Sequence, residues 1–297
     1  MNRHAFVDRI LLAAARAASW PRGQYFRDGH EAASFAEHRA AISVELPELR
    51  GDAVHELRAR TRVGELDCAV RVLQRSASAP LLVWHHGGGE IPFERTIARA
   101  LAAGTPLSAT VVAVRAPHHR SLADLAAGVA TLERYVALLA VAVELTERLL
   151  RAPEFADAER SAVAGFSLGG FVTNRHHLAY DSADAYLPFM AGTTQAAIFL
   201  GSYPAARSAR QRPDALRGAL DFAEEWRGRT HANVFPVLGR FDQLNLPAIH
   251  RAAYGDCACE IWQTGHITGA NASASIRAFL ARHLLAHATR PRAGASR

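Results

Sequence analysis

The sequence predicts an α/β fold in which an eight-stranded, mostly parallel sheet is flanked by helices and preceded by an N-terminal helical extension. Three observations predict it. Six compact apolar runs, residues 81–84, 110–114, 162–164, 197–200, 234–238 and 259–262, are continuous rather than alternating, as strands buried on both faces are. Segments of helical periodicity separate the runs, and strands that alternate with helices argue for a parallel sheet. Ahead of them, Ile42, Val44 and Leu46 alternate with Ser43 and Glu45, and Leu66, Cys68, Val70 and Val72 alternate with Asp67 and Arg71. That pattern is expected of an antiparallel, half-exposed pair at a sheet edge.

With 297 residues, 49% of them hydrophobic, the chain can bury one large core. It divides into an N-terminal helical extension (1–40), an α/β domain (41–288) and a basic tail (289–297) expected to be disordered. In the extension, Phe6, Ile10, Ala13, Ala14 and Ala17 recur at helical spacing and predict an amphipathic helix packed on the domain. Asp8 and Arg16 interrupt its apolar stretch, which is too short for a secretory signal. Trp20, Pro21 and Gly23 punctuate its end, and residues up to about 40 read either as a lid or as a packed extension. Pro92 opens a helix through Ile97 and Leu101 to Gly104. Ser121 and Asp124 make a capping-box start before one long helix through Leu125, Val129, Leu132, Val136, Leu139 and Val143. Pro213 and Asp214 begin another, with Leu216, Leu220, Ala223 and Trp226 on one face. Asn271 caps the last, whose stripe is Ile276, Phe279, Leu280 and Leu284. Pro236 is out of place in the run 234–238, the seventh predicted strand, where it removes a ladder donor.

Composition excludes several function classes. The net charge is +6 and all 34 basic residues are arginine. The most basic stretch, Arg277 to Arg297, carries no interleaved aromatic residue beyond Phe279, so no base-stacking surface and no nucleic-acid partner are expected. No run reaches the ~18 apolar residues of a membrane span. Cys68, Cys257 and Cys259 form neither a disulfide framework nor a zinc set, which favours a reducing, cytoplasmic setting. No metal and no cofactor is implied, and homo-oligomerisation is left open.

The chemistry centres on Gly165-Phe166-Ser167-Leu168-Gly169, set between an apolar run and a helical pattern. This is the strand, sharp turn and helix of a G-x-S-x-G nucleophile elbow, and it makes Ser167 the candidate nucleophile. The turn is strained, so the positions two before and two after the serine must lack side chains, as Gly165 and Gly169 do. The N–H of Leu168 then lies at a helix N-terminus, where it can hold a developing oxyanion. Counting predicted strands, the third ends in His85-His86-Gly87-Gly88-Gly89-Glu90, the seventh leads to Gly239-Arg240-Phe241-Asp242, and the eighth leads to Thr264-Gly265-His266. Ser167, Asp242 and His266 thus follow in the order serine, acid, histidine, each just past the C-terminal end of a predicted parallel strand. His266 would take the serine's proton and return it to the leaving group, while Asp242 would hold the imidazole tautomer. Gly87 and Gly88 would supply the second oxyanion donor. Asp256, Asp181 and Asp184 compete with Asp242 for the acid's place, and His85 and His86 read as packing for the glycine loop. The pair His176-His177 has no acid at helical spacing to complete a metal site.

On these motifs the chain, over about residues 42–288, resembles the α/β-hydrolase superfamily in its esterase and lipase-like branches. The resemblance implies an eight-stranded, mostly parallel sheet, a serine nucleophile and acyl transfer from a small-molecule ester to water. The same atoms would serve amide or thioester cleavage or transfer to another acceptor, and a non-catalytic binding protein of this fold is a further alternative. Where such esterases often carry an apolar or aromatic residue after the glycines, this chain has Glu90, which bears on the shape and charge of the acyl pocket. Tyr186, Phe189 and Met190, read as part of a long connection before the sixth strand, are expected either to wall that pocket or to pack the core.

Overall fold

The computed structural model describes residues 2–18, 25–203 and 208–285. The punctuation at Trp20, Pro21 and Gly23 and the tail 289–297 lie outside the described residues. Eight strands, β1 (Val54–Thr61), β2 (Gly64–Gln74), β3 (Leu81–His85), β4 (Thr110–Arg115), β5 (Ser161–Phe166), β6 (Ala185–Phe189), β7 (Val237–Gly239) and β8 (Glu260–Trp262), form one sheet in the order β1-β2-β4-β3-β5-β6-β7-β8. The pairs β1–β2 and β2–β4 are antiparallel and every later pair is parallel. Because β4 lies on one side of β3 and β5 on the other, the loops leaving β3 and β5 diverge over a crevice at the strands' C-terminal ends, where open α/β sheets bind ligands.

Two strands differ from the expected ones. The edge strand is 54–61, not 42–46, and Ser43 only bridges Arg60 through two backbone hydrogen bonds of 3.1 and 2.9 Å. In β1 the polar side of the alternation dominates, with Leu57 and Ala59 buried and His55, Glu56, Arg58 and Arg60 around them unburied, so apolarity alone does not reveal it. The sixth strand is 185–189, while residues 198–202 form a π-helical turn (Ile198–Ser202). Pro188 is tolerated inside β6 because the N–H groups of Tyr186 and Met190 on either side of it bond Asn233 O (2.8 Å) and Val237 O (2.7 Å), and the ladder skips the proline between them. Pro236 precedes β7 rather than interrupting it.

The helices are α1 (Arg3–Ala18), α2 (Phe35–Ala40), α3 (Arg95–Ala102), α4 (Leu122–Gly128), α5 (Leu132–Leu150), α6 (Leu168–Tyr180), α7 (Pro213–Leu220), α8 (Ala223–Arg227), α9 (Pro247–Ala253), α10 (His266–Ala270) and α11 (Ser273–Leu285). The single long helix expected from Ser121 is two. Thr131 caps α5 with its hydroxyl on Arg134 N–H (3.2 Å), and residues 26–29 enter the break, where Phe26 N–H and Asp28 N–H bond Val129 O and Ala130 O. The helix from Pro213 likewise breaks at Asp221-Phe222 into α7 and α8, and Asn271 ends α10 instead of starting α11.

Two apolar layers cover the sheet. On one face Ile97 of α3 and Ile276, Phe279 and Leu280 of α11 pack on Trp84, Leu187 and Phe189. On the other, α5 and α6 cover Val83, Val112 and Val163 with Val141, Leu145 and Phe171. Among the described residues no helix is long and apolar enough to cross a membrane. Helix α1 turns the opposite way to its amphipathic pattern: Ala5 and Asp8 are buried, whereas Phe6 and Ile10 are 45% and 54% exposed.

Candidate active site

Ser167 sits between β5 and α6 at φ 55°, ψ −109°, a conformation that costs a non-glycine residue energy. Its N–H bonds Phe189 O (2.8 Å) and the N–H of Gly169 bonds His86 O (3.0 Å), so the elbow is pinned to the ends of β6 and β3. A Cβ on Gly165 would stand 2.4 Å from the carbonyl carbon of Gly169, and one on Gly169 would stand 2.2 Å from His85 O. Both contacts are with backbone that cannot give way, so both positions require glycine.

The structure brings Ser167, His266 and Asp242 together. Ser167 Oγ lies 3.0 Å from His266 Nε2, and His266 Nδ1 lies 2.7 Å from Asp242 Oδ2. With the neutral imidazole protonated on Nδ1, the ring donates to Asp242 and accepts from the serine hydroxyl. Asp242 follows β7, and its Oδ1 accepts the N–H groups of Leu244 and Asn245, both at 2.8 Å. Burial alone would push the His266 pKa down. The charge and hydrogen bond of Asp242, with a contribution from Asp8, overcome that, and the pKa is raised above its ordinary value of 6.5. The competing acids act elsewhere. Asp181 bonds His177 (3.1 Å) and Asn233 (2.9 Å), and Asp184 accepts Ser161 N–H (2.8 Å).

Of the donors expected for an oxyanion, Leu168 opens α6, so its N–H has no acceptor within the helix. A Cβ on Gly88 would touch Leu168 Cβ at 3.7 Å, so Gly88 lies beside the Leu168 side chain. Gly87 is a correction: its N–H donates to Glu90 Oε2 (3.2 Å), while Glu90 Oε1 accepts Thr96 N–H (2.5 Å). Glu90 is buried, and desolvation raises its pKa against the lowering effect of the Thr96 and Gly87 N–H groups. It braces the glycine loop through the Gly87 N–H and also lines the cavity. His86, as expected, packs that loop. Its Nε2 accepts Ala116 N–H (3.0 Å), which leaves Nδ1–H to donate to Gly87 O (2.8 Å). His85 instead bonds Thr146 on α5 (2.7 Å). His119, which carried no positional argument in the sequence, lies 3.1 Å from Gly88 O.

Ser167 and His266 open onto a cavity of about 340 Å³. Its apolar wall is Tyr25, Leu125, Val129, Tyr135, Phe199 and Tyr203, and Glu90, Arg95 and Thr96 lie on the polar side. Tyr186, Phe189 and Met190 do not line it. They belong to β6 or its end and are fully buried, Tyr186 in the layer under α6, Phe189 and Met190 in the layer under α11. A strand's side chains stand on the sheet faces, so it is the chain after β6, at the π-helical turn, that reaches the pocket.

The sequence pattern also passes over Asp8. Its Oδ2 accepts the N–H groups of His266 (2.7 Å) and Gln243 (3.1 Å), and its Oδ1 accepts that of Ile267 (3.0 Å). An acid on an apolar stripe was the one available signal. His176 does meet an acid, Glu147 of α5 at 3.1 Å, but among the described residues no group of three or more His, Cys, Asp or Glu side chains could hold a metal ion.

No protein-family model matches the chain, and no curated protein sequence is detectably similar to it. Solved structures are. Acetyl xylan esterase 1 from Thermoanaerobacterium sp. JW/SL YS485 superposes with a TM-score of 0.53 at 13% identity, over 78% of this chain and 85% of that one. The acylaminoacyl peptidase of Pyrococcus horikoshii gives 0.55 at 14%, over 82% of this chain and 44% of the peptidase. A thermostable esterase from Pseudomonas putida ECU1011 gives 0.50 at 16%, over 97% and 91%. The sheet order, the elbow after β5 and these superpositions agree, and the chain has the α/β-hydrolase fold.

Proposed function

We propose that this protein is a carboxylesterase-like serine hydrolase that cleaves small carboxylic esters through an acyl-enzyme, its α/β domain spanning residues 41–288 and residues 1–40 forming an extension of it. The observation that carries the reading is the unbroken relay from Ser167 Oγ through His266 to Asp242, with contacts of 3.0 and 2.7 Å at the mouth of the cavity. In the first half-reaction Ser167 Oγ attacks the ester carbonyl as His266 Nε2 takes its proton. Asp242 stabilises the imidazolium. The carbonyl oxygen, now negative, is held by the N–H groups of Leu168 and Gly88. Collapse expels the alcohol, which receives the proton from His266. In the second half-reaction water attacks the acyl-enzyme with His266 again as base, and Ser167 leaves with the proton.

The cavity supports a substrate with one modest apolar group laid against Tyr135 and Phe199. The printed identities of the fold neighbours, esterases and a peptidase, support hydrolysis of an ester or amide. The cysteines are free thiols, which supports a reducing, cytoplasmic setting.

Replacing Ser167 with Ala tests the reading. Turnover of a p-nitrophenyl ester falls by about 10⁶ in kcat, the scale of nucleophile removal in a serine triad enzyme, while the circular dichroism spectrum is retained. A fluorophosphonate probe labels Ser167 in the unmodified protein. Labelling of another serine, or near-normal turnover by the variant, would reject the assignment.

A further inference from the structure

Helix α1 buries an aspartate and exposes a phenylalanine and an isoleucine. Burying a carboxylate is costly unless hydrogen bonds replace its water, and Asp8 has three, all to backbone N–H groups more than 230 residues away in sequence. His266 and Ile267 open α10, where N–H groups have no acceptor within the helix. Gln243 follows Asp242. One side chain therefore ties the loop carrying the histidine to the loop carrying its acid.

The surroundings are shaped for this contact. A Cβ on Gly265 would stand 2.7 Å from Asp8 Oδ2 and 2.9 Å from His4 O, so only glycine lets α1 seat there. Thr268 Oγ1 accepts Gly265 N–H (2.8 Å) and meets His4 Nδ1 (2.9 Å), which anchors the preceding turn of α1 to the same helix.

We propose that Asp8 is a positioning residue for the triad: from the N-terminal helix it fixes the backbones at Gln243, His266 and Ile267, so that the imidazole keeps its contacts with both Ser167 and Asp242. The proposal rests on the hydrolase reading, since it assigns Asp8 a role in that site. Its negative charge also faces the imidazolium that forms during turnover. The titratable groups around the ring are Asp242 from the β7 loop, Asp8 from α1 and His250 from α9, and only the two carboxylates favour the charged ring.

The test uses the full chain with Asp8→Asn and Asp8→Ser. Two readouts are taken: kcat and KM on a p-nitrophenyl ester, and the His266 imidazole titration by NMR, the latter in a Ser167→Ala background. The expected result is a kcat lower by about tenfold to a hundredfold, the scale of a displacement near 1 Å, with KM changed less than about twofold. The His266 midpoint moves down in both variants. A drop in melting temperature with kcat and the midpoint unmoved would make Asp8 a merely structural residue and overturn the proposal. If the unmodified protein turns over no ester, the hydrolase reading fails, and the titration alone then decides whether Asp8 acts on His266.

Discussion

At the scale of single residues the site is a competition for hydrogen-bond donors and charge. Because Asp242, together with Asp8, outweighs burial and raises the His266 pKa, the neutral imidazole that the proposed mechanism uses as base appears only at a higher pH than an isolated histidine would allow. The acid limb of kcat/KM is therefore expected above about 6.5. Asp242→Asn moves that midpoint down and lowers kcat by about 10⁴, and a pH–rate series on both proteins checks the sign. Glu90 offers a second prediction. Glu90→Ala strands the buried N–H groups of Gly87 and Thr96, at about 1–3 kcal/mol each. It loosens the loop beside Gly88, so both melting temperature and kcat fall, kcat by about tenfold if the loop shift approaches 1 Å. A Glu90→Ala enzyme with normal kcat would mean that the loop holds its shape without this brace. That Ser167, Asp242 and His266 meet was legible because strand ends and chain order constrain them. The engagement of Gly87 by Glu90 was not, since whether a glycine N–H is free depends on which way a neighbouring carboxylate folds back.

At the scale of elements, what was legible followed the strength of the hydrophobic signal. Strands β3, β4 and β5 are buried almost throughout and read directly as apolar runs. The edge strand β1 did not, because four of its eight residues carry charge or imidazole, and β6 was disguised by Pro188. Conversely, residues 197–200 have a strand's composition but form the turn that walls the cavity, since Phe199 packs with Phe26 and Tyr135 (centroids 5.0 and 5.5 Å) rather than in the sheet. The orientation of α1 was unreadable for a different reason: its buried face is chosen by hydrogen bonds to distant backbone, which no local periodicity encodes. The reassignment of these elements separates two aromatic residues. Phe189→Ala, deep under α11, is expected to cost about 3–5 kcal/mol of stability while the enzyme's relative preference among acetate, butyrate and hexanoate esters stays the same. Phe199→Ala, in the cavity wall, shifts the preference toward the longer acyl groups. A graded ester series on both variants decides the matter, and a changed preference in the first with none in the second would reverse the assignment.

At the scale of the whole molecule, the buried histidines set how the fold responds to acid. Burial, with a smaller effect from His176, holds the His85 pKa down to about 3, and burial with the nearby His266 holds His250 at about 4. His86 lies well below its ordinary value, chiefly through burial and then His119. In the unfolded chain each would titrate near ~6.5. Between that pH and the folded values the unfolded state binds more protons, so stability falls as the pH falls. The loss is about 1.4 kcal/mol per pH unit for each such histidine. His266 has the opposite sign, because its raised folded pKa contributes stability below about 6.5 that is lost as pH rises through that pKa. Below about 6.5 that contribution is constant, so the three histidines above, joined by His119, His176, His177, His231 and His283, whose pKa values burial also lowers, leave a net destabilisation on acidification, large against the ~5–15 kcal/mol that domains usually possess. The urea midpoint is therefore expected to drop steeply between pH 6.5 and 4.5, well before most carboxylates protonate. His250→Gln, which cannot titrate, should make the drop shallower by about one proton's worth. A midpoint that stays flat across this interval would mean that these rings are already protonated in the native state.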